Sequence, residues 1–174
     1  MFMAVAILML AACKKESTSE DTNQTKALSN KNSEMKSESK RITRPISDVL
    51  QSDPDPNPTS PYGGAIFYGT MTHLGNVHGR TVNTTFTPIT ANVFAITSDD
   101  ICYAANGDEL WTKGDIVITY PTDASTTATI TGGSKIVGGT GRFAGATGYF
   151  IYENMVYDLI TGHESHTAHG EITY

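Results

Sequence analysis

Apolar and polar positions divide the chain into three stretches. Phe2 to Ala12 is an unbroken apolar run, FMAVAILMLAA. After it, KKESTSEDTNQTKALSNKNSEMKSESKR has no aromatic residue and no apolar period. From Tyr62 onward Thr, Val, Ile, Tyr and Phe dominate, no segment shows a 3.6-residue apolar repeat, and glycine recurs as punctuation. That is the composition of short strands joined by tight turns.

The third stretch predicts strands over Ala65–Leu74, Val77–Phe86 and Ala91–Ala105, with a possible break at Ser98-Asp99-Asp100. Asn106-Gly107 fits a type I′ hairpin turn, which needs both central residues at positive φ. In Leu110–Tyr120 the residues Leu110, Ile116, Ile118 and Tyr120 share one face, opposite Trp111, Lys113, Asp115 and Val117. Thr126–Val137 is interrupted by Gly132-Gly133, a signal for a bulge or bend. Tyr149–Asn154, Val156–Thr161 and Ser165–Tyr174 complete seven or eight strands, and even spacing argues for an antiparallel barrel or sandwich. Tyr149 to Tyr152 is apolar on both faces, which implies packing outside the sheet as well, against a loop or a second subunit.

The first two stretches predict placement. Eleven apolar residues are too few to span a bilayer, which takes about 20, and suit the core of a signal peptide. The run ends Leu10-Ala11-Ala12-Cys13, which resembles the bacterial lipobox. The resemblance implies a signal peptide over 1–12, cleavage before Cys13 and acylation of that cysteine. It also implies an exported protein anchored in the bacterial cell envelope, at the outer membrane or the cell surface. Stable anchoring takes two or more acyl chains, at about 0.8 kcal/mol per buried CH₂. No Lys or Arg precedes the run, a departure from the usual signal.

Residues 13–60 read as a disordered tether, because such a composition buries too little apolar surface to offset chain entropy. Within it Ile42, Ile46, Val49 and Leu50 fit either one side of a short helix or an apolar patch in a linker. Pro54, Pro56, Pro58 and Pro61 mark a stiff extended hinge. The compact domain is expected over 61–174.

Charge is segregated. Lys14–Ser60 carries eight Lys/Arg and eight Asp/Glu, whereas Pro61–Tyr174 carries four and ten, so the net −6 sits on the domain. An acidic domain with four scattered cations offers no footprint for nucleic acid. With Cys13 acylated, Cys102 has no partner in the chain, and its apolar neighbours Ile101 and Tyr103 suit a buried thiol.

The most distinctive run is Gly138-Gly139-Thr140-Gly141-Arg142-Phe143-Ala144-Gly145-Ala146-Thr147-Gly148. It contains G-x-G-x-x-A, yet a dinucleotide site needs a helix and a βαβ unit after it, and here a strand follows at once. No cofactor is implied. The run Ile136 to Phe143, followed by Ala146-x-Gly148-Tyr149, resembles dirigent proteins and the wider allene oxide cyclase-like barrels, including bacterial secreted members. Thr72-His73-Leu74-Gly75 and Ala104-Ala105-Asn106-Gly107-Asp108-Glu109-Leu110 resemble further signatures of the bacterial members. The resemblance implies an eight-stranded antiparallel β-barrel with a central cavity, compatible with a homotrimer. It assigns Gly138, Gly139, Gly141, Arg142, Phe143, Gly145 and Gly148 to a structural loop whose Phe143 plugs the core. The plant members act on small apolar molecules by radical coupling or cyclisation, but their catalytic residues have no counterpart in the matched segment.

Candidate chemistry centres on histidines. In His163-Glu164-Ser165-His166 and His169, strand alternation puts His163 and His169 on one face and Glu164 and His166 on the other. The zinc-protease spacing needs two His four apart on a helix, and these are three apart on strand. Glu164 and His166 are placed at a barrel mouth, with His166, Ala168, Gly170 and Ile172 facing inward. His73 can join them by alternation with Met71 and Gly69. These three are the candidates for any catalysis; a solvated or hydrogen-bonded rim is the alternative. Asp99-Asp100 and Asp108-Glu109 read as solvated acids at turns.

The functional expectation is a lipid-anchored barrel that binds a small ligand or a surface partner without catalysis. Its alternatives are a cyclase or isomerase acting on an apolar ligand in the cavity, and a structural trimer without ligand.

Overall fold

The computed structural model describes residues 41–174; the expected signal peptide, Cys13 and the expected tether as far as residue 40 lie outside them. Eight antiparallel strands close into a barrel in simple sequence order: β1 Thr43–Pro54, β2 Ala65–Met71, β3 Gly75–Pro88, β4 Val93–Tyr103, β5 Glu109–Thr119, β6 Thr127–Gly139, β7 Thr147–Asp158 and β8 Glu164–Thr173. The one helical element among the described residues is a 3₁₀ turn, Gly141–Phe143.

The barrel and its eight strands agree with the sequence expectation, but two boundaries differ. First, the barrel begins well before Pro61. The segment expected to be helix or linker is β1, which pairs with β2 on one side and β8 on the other and so closes the cylinder. Ile46, Asp48, Leu50 and Ser52 face inward and are buried, while Ser47, Val49 and Gln51 face out. The inward face alternates apolar with polar, which hides the two-residue period. Second, the expected strands Tyr149–Asn154 and Val156–Thr161 merge into one, β7, which ends at Asp158, with residues 159–161 in the turn after it. It is bent at Asn154 (φ 53°), where the pairing with β8 slips between Glu153 and Val156.

β4 runs unbroken through Ser98-Asp99-Asp100. The Asn106-Gly107 hairpin is not type I′, since Asn106 lacks a positive φ. The Gly107 N–H donates to the Ala104 carbonyl (2.9 Å), and Gly107 alone takes the left-handed conformation (φ 86°). A turn of three central residues ending in a left-handed glycine meets the strand twist equally well.

The two ends of the barrel are built differently. At one end the turns β2–β3, β4–β5 and β6–β7 converge, and Leu74, Ala104, Leu110, Phe143, Ala146 and Ile172 pack into a closed floor. Phe143, Leu110 and Ile172 are completely buried. The three sequence signatures meet here. Asp108 accepts from Asn106 Nδ2 (2.9 Å) and the Arg142 N–H (3.3 Å), and the Arg142 guanidinium donates to the His73 carbonyl. At Gly141 (φ 53°) an added Cβ would lie 1.9 Å from Asp108 Oδ1, so only glycine admits this lock. At the other end the longer connections surround an open mouth. Tyr149 and Ile151 point outward and are 43% and 47% exposed, so the two-sided apolar strand is not covered within the described chain.

Candidate functional site

Above the floor lies a cavity of about 370 Å³. Small inward residues make the room: Ser52 on β1, Thr84 on β3, Ser98 on β4, Gly114 on β5 and Ser134 on β6 line it. Its walls are mainly apolar, with Leu50, Ile96, Ile118, Ile130 and Met155 in the barrel, and Phe86, Tyr120 and Tyr157 at the mouth. Pockets of this size with few converging polar groups are the usual form of small-molecule sites.

The polar groups converge from three strands. On β8, Glu164 and His166 both face inward, as the two-residue period predicts, and the pairings Ser52↔Glu164, Leu50↔His166 and Asp48↔Ala168 align them with β1. Ala168 is small, so Asp48 leans past it toward the imidazole. His166 Nδ1 lies 3.2 Å from Glu164 Oε1, and His166 Nε2 lies 3.6 Å from Asp48 Oδ1. The side chains of Asp48 and His166 keep only 3% and 9% of their exposure. Despite that burial, Asp48 Oδ1 and His166 Nε2 have no hydrogen-bond partner, and 3.6 Å is too long to count as one. The Tyr152 ring packs on His166 at 4.8 Å between centroids.

On β4, Asp100 accepts from Thr81 Oγ1 and Ser98 Oγ, both at 2.8 Å. Burial pushes the Asp48 carboxyl up to about 6, against the pull of His166 and of the Ala168 backbone. Burial pushes Asp100 to about 6 as well; its hydroxyl donors oppose this, while Asp99 and Glu164 reinforce it. Burial also lifts the Tyr152 phenol well above its ordinary value and the Cys102 thiol to about 12, so Cys102 is an inert wall residue. These are the signs of carboxylates held in an apolar setting. Among the described residues no Lys or Arg lines the cavity.

Of the three candidates, the structure brings Glu164 and His166 together and places His73 elsewhere. His73 lies past the end of β2 in the closed-end turn, with φ 70°, its Nε2 against the Pro45 carbonyl (2.9 Å). The other histidines diverge too: His163 meets Asp53 (2.9 Å) and His169 meets Glu153 (3.4 Å) outside the barrel. Among the described residues no group of three His, Cys, Asp or Glu is arranged to hold a metal ion.

Two site residues escaped the sequence reading. Asp48 was hidden in the expected tether. Asp100 was read as a turn acid, but adjacent acids on a strand face opposite ways: Asp99 turns out to Lys113 (2.6 Å) and Asp100 turns in. Asp108, by contrast, does sit at its turn and serves the closed-end lock.

Comparison with family models, with curated proteins and with solved structures gives no match. The likeness to dirigent and allene oxide cyclase-like barrels therefore rests on the quoted residues alone.

Proposed function

We propose that this chain is an exported, lipid-anchored barrel that binds a small, largely apolar molecule inside the cylinder without transforming it. The observation that carries the binding reading is the open cavity with Asp48 Oδ1 and His166 Nε2 buried and unpaired at its inner end. An unsatisfied buried polar atom costs about 1–3 kcal/mol, a cost a protein retains where a ligand completes the bonding. Anchoring is supported by the apolar run ending in Cys13.

Binding is tested with a neutral environment-sensitive dye such as N-phenyl-1-naphthylamine. The wild-type protein should enhance its fluorescence saturably. Thr84→Phe, which fills the cavity from β3, should weaken that binding at least about tenfold while leaving the melting temperature within a few degrees. Unchanged dye affinity in a folded Thr84→Phe protein would place the dye elsewhere and remove the support for an interior site.

A second reading, a cyclase or isomerase, is favoured by one feature. Glu164 contacts an imidazole, the commonest acid–base group, whose other nitrogen has no partner among the described residues. It is separated from simple binding by whether the bound molecule leaves chemically altered.

A further inference from the structure

The inner end of the cavity has a specific deficit. His166 Nδ1 contacts Glu164 Oε1 at 3.2 Å. Its Nε2 faces Asp48 Oδ1 across 3.6 Å, beyond hydrogen-bond reach. Both atoms are buried, and among the described residues neither has a hydrogen-bond partner.

The charge balance has the same sign. Asp48, Asp100 and Glu164 reach the cavity from β1, β4 and β8, and among the described residues His166 is the one basic side chain on its wall. A ligand ending in a carboxylate would add a fourth acid to an apolar interior. A hydroxyl group would bring a single hydrogen and no charge. A protonated amine brings three donors and a positive charge.

The geometry points to a small amphipathic amine as the ligand class of this cavity, its ammonium group seated between Asp48 and His166 and its apolar part directed along Leu50 and Ile130 toward Phe86 and Tyr120. This assignment rests on the ligand-binding reading above and adds the chemistry of the headgroup.

Calorimetric titration of the full chain with n-octylamine, n-octanol and octanoate at pH 7.5 tests it. Octylamine should bind at least about tenfold tighter than octanol, the worth of a charged hydrogen bond, and octanoate should bind weakest. Asp48→Asn should reduce octylamine affinity to about that of octanol and leave octanol unchanged. Asp100→Asn, which removes a cavity charge without touching the seat, should weaken octylamine less than Asp48→Asn does; it carries the comparison if the Asp48 variant does not fold, and an octylamine affinity unmoved by it then counts against the assignment. Octanol or octanoate binding as tightly as octylamine overturns the amine assignment and leaves the cavity reading intact. Failure of all three probes to bind overturns both.

Discussion

A chain that starts at Pro61 should not fold, whereas one that starts at Arg41 should unfold in a single cooperative transition. The reason lies in β1. It is the only partner of the outer edges of both β2 and β8, so its loss opens the cylinder along its length and leaves two bare strand edges. It also removes Ile46 and Leu50, which are 2% and 6% exposed. Truncating each such side chain to alanine costs about 2–5 kcal/mol, so the two together approach the whole stability of an ordinary domain, about 5–15 kcal/mol. Thermal melts of the two fragments followed by near-ultraviolet circular dichroism check this. A cooperative melt from the Pro61 fragment would mean that β1 is an accessory strand.

Replacing Asp48 by asparagine should make the empty barrel more stable at pH 7.5 while it abolishes the amine preference. A carboxyl whose pKa rises from 3.8 unfolded to about 6 folded destabilises the folded state at neutral pH. Two units correspond to roughly 3 kcal/mol, to order of magnitude. The amide removes that charge, so a gain of up to about that size is expected.

The sign can be checked against pH. Between about 6 and 3.8 the folded state holds more protons on Asp48 and Asp100 than the unfolded chain does, so stability rises as the solution is acidified through that window. The titratable groups around these two inside the barrel are Glu164 and His166 on β8, Tyr152 on β7 and Cys102 on β4, and the outward Asp99 adds its charge from the other face of the sheet. The half-buried Asp53, Asp99, Asp108 and Asp158 act oppositely and lower. Their pKa values are depressed by His163, Lys113, Asn106 and the Thr161 N–H respectively, so their contribution is lost only as pH falls below the ordinary carboxylate range. The wild-type melting temperature should therefore climb by several degrees from pH 7.5 to 5, and the climb should be smaller in Asp48→Asn. A variant less stable than wild type at both pH values would show that the ionised carboxylate is satisfied in the folded barrel.

How much of this was legible follows from what each strand must do. β5 carries Leu110, Ile116 and Ile118 inward, and β8 carries Glu164, His166, Ala168 and Ile172 inward, enough alternate positions for the spacing to show. β1 places Asp48 and Ser52 inward, and a strand whose buried face is half polar has no apolar period to detect. The strand that carries the unpaired carboxylate is thus the one that the hydrophobic pattern misses, as expected where local rules are broken for a site. His73 failed for a different reason. Alternation was extended beyond Met71, where β2 ends and the chain turns through a positive φ. The split of β7 came from reading the bend at Asn154 as a turn rather than a bulge that keeps the strand going.

The central claim is that the interior of this cylinder is a ligand seat whose inner end leaves Asp48 Oδ1 and His166 Nε2 unpaired. A crystal structure of the protein soaked with n-octylamine tests it most directly. The account predicts the nitrogen within about 3 Å of both Asp48 Oδ1 and His166 Nε2, with the alkyl chain running to the mouth. A cavity closed by its own side chains, or an amine found only on the outer surface, would contradict it.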